Sequence, residues 1–140
     1  MHQSPTTSSL LAVAFVLSVL TSCSNNTAEY VKAENATDAG REFVRAALDG
    51  DYAKASFYLY KDSTNQLLFK QQQNDYNGFS KETKASYKES SIRPVGPREE
   101  TDSTSIFRYY HSANPKDTTA LRIVKHNGEW VVDLKSVIKM

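Results

Sequence analysis

The dipeptide Asn127-Gly128 lies between two apolar-alternating runs, Thr119 to His126 and Glu129 to Val137, and this arrangement constrains the chain more than any other feature. Both central residues of a two-residue type I′ turn need positive φ, and Asn-Gly is the pair that adopts it most readily. A two-residue turn leaves one register, with His126 opposite Glu129, Lys125 opposite Trp130, Val124 opposite Val131, Ile123 opposite Val132, Arg122 opposite Asp133 and Leu121 opposite Leu134. Because side chains alternate across a strand, Leu121, Ile123, Trp130, Val132 and Leu134 then form a core face, with the Lys125 stem passing the indole. The other face carries opposed charges, Arg122 with Asp133 and His126 with Glu129, an arrangement read as a surface ion pair of small energetic weight.

Two further extended segments precede this hairpin, Ile92 to Val95 and Ser103 to His111. Pro94 confines the first to a sheet edge, since proline has no N–H for the ladder. Upstream the period changes to helical. Thr37 is read as N-cap of a helix that places Ala39, Phe43, Val44, Ala47 and Leu48 on one stripe and ends at Gly50. Asp51 caps a second helix, Tyr52 to Leu59; a third runs from Ser63 or Thr64 to about Asp75 with Leu67, Leu68 and Gln71 inward; Ser80 caps a fourth, Lys81 to Lys88, with Ala85 and Tyr87 as its apolar contacts. The expected class is α+β: N-terminal helices packed on a curved antiparallel sheet of about four strands.

The N-terminus supplies an address. Leu10 to Leu20, LLAVAFVLSVL, is uncharged and far shorter than the roughly 20 residues a membrane-spanning helix needs. It runs into Leu20-Thr21-Ser22-Cys23, which resembles the bacterial lipobox, and Cys23 is the only cysteine in the chain. The expected organisation is a lipoprotein signal peptide over 1–22, a lipidated Cys23 with a flexible tether over 23–35, and one folded domain over 36–140. Acyl chains on Cys23 would hold that domain at a membrane surface in the cell envelope, and Ser24 in place of Asp after the cysteine points to the outer membrane. Asp62-Ser63-Thr64, Asp102-Ser103-Thr104 and Asp117-Thr118-Thr119 resemble short O-glycosylation sequons of exported bacterial proteins, and each also reads as a turn or helix cap.

The segment from Ala39 to Ala55, AGREFVRAALDGDYAKA, and the terminal strand Gly128 to Leu134, GEWVVDL, resemble the nuclear transport factor two-like, or cystatin-like cone, superfamily. The resemblance covers roughly residues 36 to 138 and is nearest to small tethered lipoprotein domains of unknown function. It implies helices closing one side of a cone-shaped sheet. It also implies that an enzyme of this kind would use a carboxylate or an Asp/His pair inside the cone.

Composition narrows the function. With 17 Lys plus Arg against 16 Asp plus Glu the net charge is +1, which builds no one-sided field for nucleic acid. One cysteine and three histidines make no four-ligand zinc site, and no Gly-rich phosphate loop or nucleophile triad occurs, so no metal, cofactor or catalytic residue is assigned. Asp133 is the acid best placed in mid-strand, and an enzyme using it is the alternative reading; His111 and His126 read as solvated residues at strand ends. In Ile106-Phe107-Arg108-Tyr109-Tyr110-His111, alternation sends Ile106, Arg108 and Tyr110 one way and Phe107, Tyr109 and His111 the other. Arg108 and Tyr110 are the expected ligand contacts, a charged donor beside an amphipathic ring, with Phe107 and Tyr109 as core. Phe57, Tyr58 and Tyr60 either close the mouth of the cone or pack the end of the second helix. The expected activity is non-catalytic binding of a small molecule, a peptide or an envelope protein, at the membrane and without nucleic acid. Labelling cells with a fatty-acid analogue should mark the protein, and Cys23→Ala should abolish the label; incorporation that persists in that variant would contradict lipidation at this residue.

Overall fold

The computed structural model describes residues 29–96 and 98–139, so the expectations for the signal peptide, for Cys23 and for residues 24–28 lie outside the described residues. Within them the fold is α+β, with helices first and an antiparallel sheet after. Helix α1 spans Ala36–Asp49, and its cap is Asn35 rather than Thr37: the Asn35 Oδ1 accepts the Asp38 N–H at 2.9 Å. Gly50 ends it in the left-handed region at φ 77°. A side chain there would also collide with the Tyr76 ring, 2.8 Å from where its Cβ would stand, so glycine is required twice over. Asp51 caps α2, Tyr52–Phe57, which stops before Leu59 because the chain turns extended to meet the sheet. Asp62 caps α3, Ser63–Gly78, and Ser80 caps α4, Lys81–Glu89.

The strands are β1 (Ile92–Pro94), β2 (Glu99–Glu100), β3 (Thr104–His111), β4 (Asn114–His126) and β5 (Glu129–Lys139). Their order is β1-β3-β4-β5, with β2 pairing β3 further along, and every pairing is antiparallel. The short β2 is new relative to the sequence reading, and β4 begins at Asn114, not Thr119.

The hairpin register holds from His126↔Glu129 through Arg122↔Asp133, with Asn127 at φ 50° and Gly128 at φ 80° as the turn demands. It fails at the next step. Beyond Arg122 the ladder shifts so that Ala120 meets Ile138, and Leu121 and Leu134 are not partners. Both are nevertheless buried in the core with Ile123 and Val132. Trp130 is only half-buried, one pair from the turn at the end of the sheet, with the Lys125 ammonium 5.4 Å from its ring centroid. The expected fully buried indole is thus corrected to a marginal one. Helix α1 supplies the opposing layer through Ala39, Phe43, Val44 and Ala46, and Gly40 lets it approach so closely that a Cβ there would lie 2.8 Å from the Phe107 ring.

The edge strand β5 is sealed by the α2–α3 connection. Val132 N–H donates to the Tyr58 carbonyl at 2.7 Å, and Tyr60 N–H donates to the Val132 carbonyl at 2.9 Å. One step on, Leu134 N–H donates to Asn65 Oδ1 at 2.7 Å, and Asn65 Nδ2 donates to Asp133 Oδ1 at 3.1 Å. Asp133 is therefore 3% exposed, and its pair with Arg122 (Nη1 to Oδ2, 3.4 Å) is not the open surface ion pair expected from sequence. Asn65, fully buried, also sets the phase of α3: Leu68, Phe69 and Tyr76 turn inward, whereas Leu67, expected inside, is 68% exposed. Ala85 of α4 is likewise exposed. Residues 29–34 carry no helix or strand, yet they lie on the domain, with Tyr58 Oη donating to the Val31 carbonyl at 2.7 Å and Tyr30 packed on Phe57. The stretch expected to be a free spacer to residue 35 is thus held to the body from Tyr30 onward.

Removing one partner of a buried polar pair strands the other, whereas removing both is milder. Asn65→Leu should lower stability to urea by about 2 to 3 kcal/mol, and Asn65→Leu with Asp133→Leu should cost at least about 1 kcal/mol less than the sum of the two single changes. Additive losses would show that the pair is not coupled.

Candidate aromatic cavity

A cavity of about 260 Å³ lies between the helices and the sheet, reached by residues of all four helices and of β3, β4 and β5. Its wall is aromatic: Phe43, Tyr52, Tyr76, Phe79, Tyr87 and Tyr109. The rings form a run of edge contacts, Tyr52 to Tyr76 at 5.6 Å between centroids, Tyr76 to Phe79 at 6.0 Å, Phe79 to Tyr87 at 5.5 Å and Tyr87 to His111 at 5.0 Å. Such geometry satisfies the rings' quadrupoles and holds them in place. The sequence places them there simply. Tyr76 and Phe79 come at the end of α3, Tyr87 is the one large apolar residue of α4, and Tyr109 and His111 follow Phe107 on the helix-facing side of β3.

Polar groups sit among these rings. The Nδ1 of His111 is buried and has no hydrogen-bond partner among the described residues. Burial lowers the His111 pKa below its usual value, opposed by the nearby Asp117 carboxylate. Burial likewise pushes the Tyr109 hydroxyl up to about 12, against a hydrogen bond with Thr119 that lowers it. Tyr52 is also pushed up to about 12, first by burial and then by Tyr76 and Asp75; its Oη donates weakly to the Gln72 carbonyl at 3.4 Å. Asp75 and Asp117 are the only formally charged groups at neutral pH among the described residues that line the cavity.

Of the residues singled out from sequence, Arg108 and Tyr110 do not line this cavity. They lie on the sheet face away from α1. Arg108 Nη1 is 2.8 Å from Glu99 Oε1, close as an ion pair but not aligned as a hydrogen bond, and Tyr110 stands opposite Arg93 of β1. Phe57, Tyr58 and Tyr60 belong to the opposite end of the fold: Tyr58 holds Val31, and Tyr60 packs on His126 at 4.9 Å. Asp133 also lies off the cavity, enclosed by Asn65, Arg122 and the Lys135 N–H. Of the three sequons, Asp62 caps α3, Asp102 precedes β3 in an exposed turn, and Asp117 is in β4 facing the cavity. A wider depression of about 510 Å³ runs along residues 29–34; six charged side chains line it, Glu29, Lys32, Glu34, Asp38, Glu42 and Lys54, the last two joined as an ion pair.

Tyr76 and Phe79 were not singled out from sequence, and Tyr87 and Asp117 were read only as an apolar contact of α4 and as part of a turn or sequon. Their signal was the density of aromatics between Phe69 and Tyr87, which only a helix carried past Asp75 to Gly78 turns into a wall. Among the described residues no group of three or more His, Cys, Asp or Glu side chains is placed to hold a metal ion, and no helix is long and apolar enough to cross a membrane. No protein-family model matches the chain, and neither does any curated protein or solved structure.

His111 ties the cavity to pH. Its folded-state pKa lies below the ordinary 6.5, so the unfolded chain binds more protons between those two values and stability rises with pH through that window. Acidification from about pH 7.5 to pH 5 should therefore lower the stability of the wild type relative to His111→Gln, measured as urea midpoints. A difference that stays constant would show that His111 is not protected in the folded state.

Proposed function

We propose that this chain is a lipid-anchored lipoprotein of the bacterial cell envelope, presenting a non-catalytic binding domain whose ligand sits in the aromatic cavity. The observation that carries the reading is the buried, unpartnered Nδ1 of His111 at the end of an unbroken run of rings. A buried polar atom without a partner is costly, and a ligand with a complementary donor or acceptor removes that cost. The lining combines apolar surface with a few convergent polar groups, the usual make-up of small-molecule sites. At about 260 Å³ the space suits a small molecule rather than a folded partner. The Leu10–Leu20 core and Cys23 support the address, with the folded domain held just outside the bilayer.

An enzyme working through Asp133 would need the first turn of α3 to withdraw, because Asn65 and the Lys135 N–H occupy the carboxylate. In the cavity reading, fragments screened against the full-length protein by ligand-observed NMR bind it, and Ala47→Phe, which adds a ring to the cavity wall, abolishes that binding without lowering the melting temperature by more than a few degrees. Arg108→Ala with Tyr110→Ala should leave binding intact. The reverse pattern would place the site on the other face of the sheet.

A further inference from the structure

Resting on that reading, we propose that the ligand of the cavity is a small organic cation, a substituted ammonium with an apolar body. The wall offers the electron-rich faces and edges of Tyr52, Tyr76, Tyr87 and Tyr109. Aromatic walls of this kind attract ammonium groups through the ring quadrupole, most strongly when the ion is desolvated. Charge complementarity selects the sign. Among the described side chains no Lys or Arg lines the cavity, whereas Asp75 and Asp117 do. Neither carboxylate forms an ion pair among the described residues, and the one side-chain hydrogen bond to either of them there is long, from Asn114 Nδ2 to Asp117 Oδ2 at 3.4 Å.

Both acids act on the rings as well as lying near them. Asp75 raises the Tyr52 hydroxyl and Asp117 raises Tyr109, which places each carboxylate within electrostatic reach of a ring in the wall. Burial keeps His111 on the neutral side at ordinary pH, so it adds no opposing charge. The one cation beside these rings, Lys84, lies 5.5 Å from the Tyr76 centroid but is not part of the lining and donates to the Asn77 carbonyl. An anionic ligand would meet two carboxylates and, among the described side chains, no counter-charge. A neutral ligand would leave both acids unused.

The test uses choline and its uncharged isostere 3,3-dimethyl-1-butanol, titrated by calorimetry into the full-length protein. Choline should bind at least about tenfold more tightly, because the two differ only in the charge that the rings and carboxylates read. Asp75→Asn with Asp117→Asn should remove most of that preference and leave the weak binding of the alcohol unchanged, and Ala47→Phe should abolish both. Equal binding of the two probes would overturn the cation assignment while leaving the cavity reading standing. Failure of both probes where neutral fragments still bind would overturn it too. Choline binding that survives Ala47→Phe would place the cation elsewhere and overturn the assignment together with the reading beneath it.

Discussion

The structure turns on Val132. Its side chain is fully buried against Ile123 of β4, its N–H is taken by Tyr58 and its carbonyl by Tyr60. A single residue of the edge strand therefore belongs both to the sheet and to the connection between α2 and α3. An unpaired edge would expose a row of hydrogen-bonding groups; here the chain that leaves α2 covers it. Asn65 extends the seal by one more backbone group and brings the Asp133 carboxylate under cover. The helical half is thereby fixed to the last strand by directional bonds, whereas apolar packing alone would allow it to slide.

The cavity follows from that fixation. With its first turn held to β5, α3 runs out toward Gly50, where Tyr76 packs into space that any larger residue would fill. Helix α4 is short and offers only Tyr87 to the interior, with no fully buried residue of its own. The core is consequently dense where α1 meets Phe107 and Ile123 and under-filled where α3 and α4 meet β3. Rigid rings border the gap together with Leu48, Leu121 and Leu134, and none of them fills it.

Much of this was legible from sequence where the cause is local. Asn127-Gly128 dictates a turn and hence a register, Gly50 a helix end, and Asp51 and Ser80 two helix starts, because each depends on the φ preference or side-chain oxygen of one residue. What depends on distant packing was not. Alternation divides Ile106 to His111 into two sets and gives Phe107 and Tyr109 as core, as found, but not that Gly40 lets α1 close onto Phe107. The phase of α3 is decided by a polar residue, Asn65, whose partners on β5 lie far along the chain. Nor does the turn control the ladder past Arg122, where β5 takes three more residues than β4 before Ala120 meets Ile138.

The most direct test of the account is where a bound molecule lies. Intermolecular NOEs should be measured between the best-binding fragment and the aromatic protons of the labelled protein. Cross-peaks to the rings of Tyr76, Tyr87 and Tyr109, with none to Tyr110 or Trp130, are the result predicted by a cavity held open between α3, α4 and β3. Cross-peaks confined to Tyr110, on the face that carries Arg108, would contradict it.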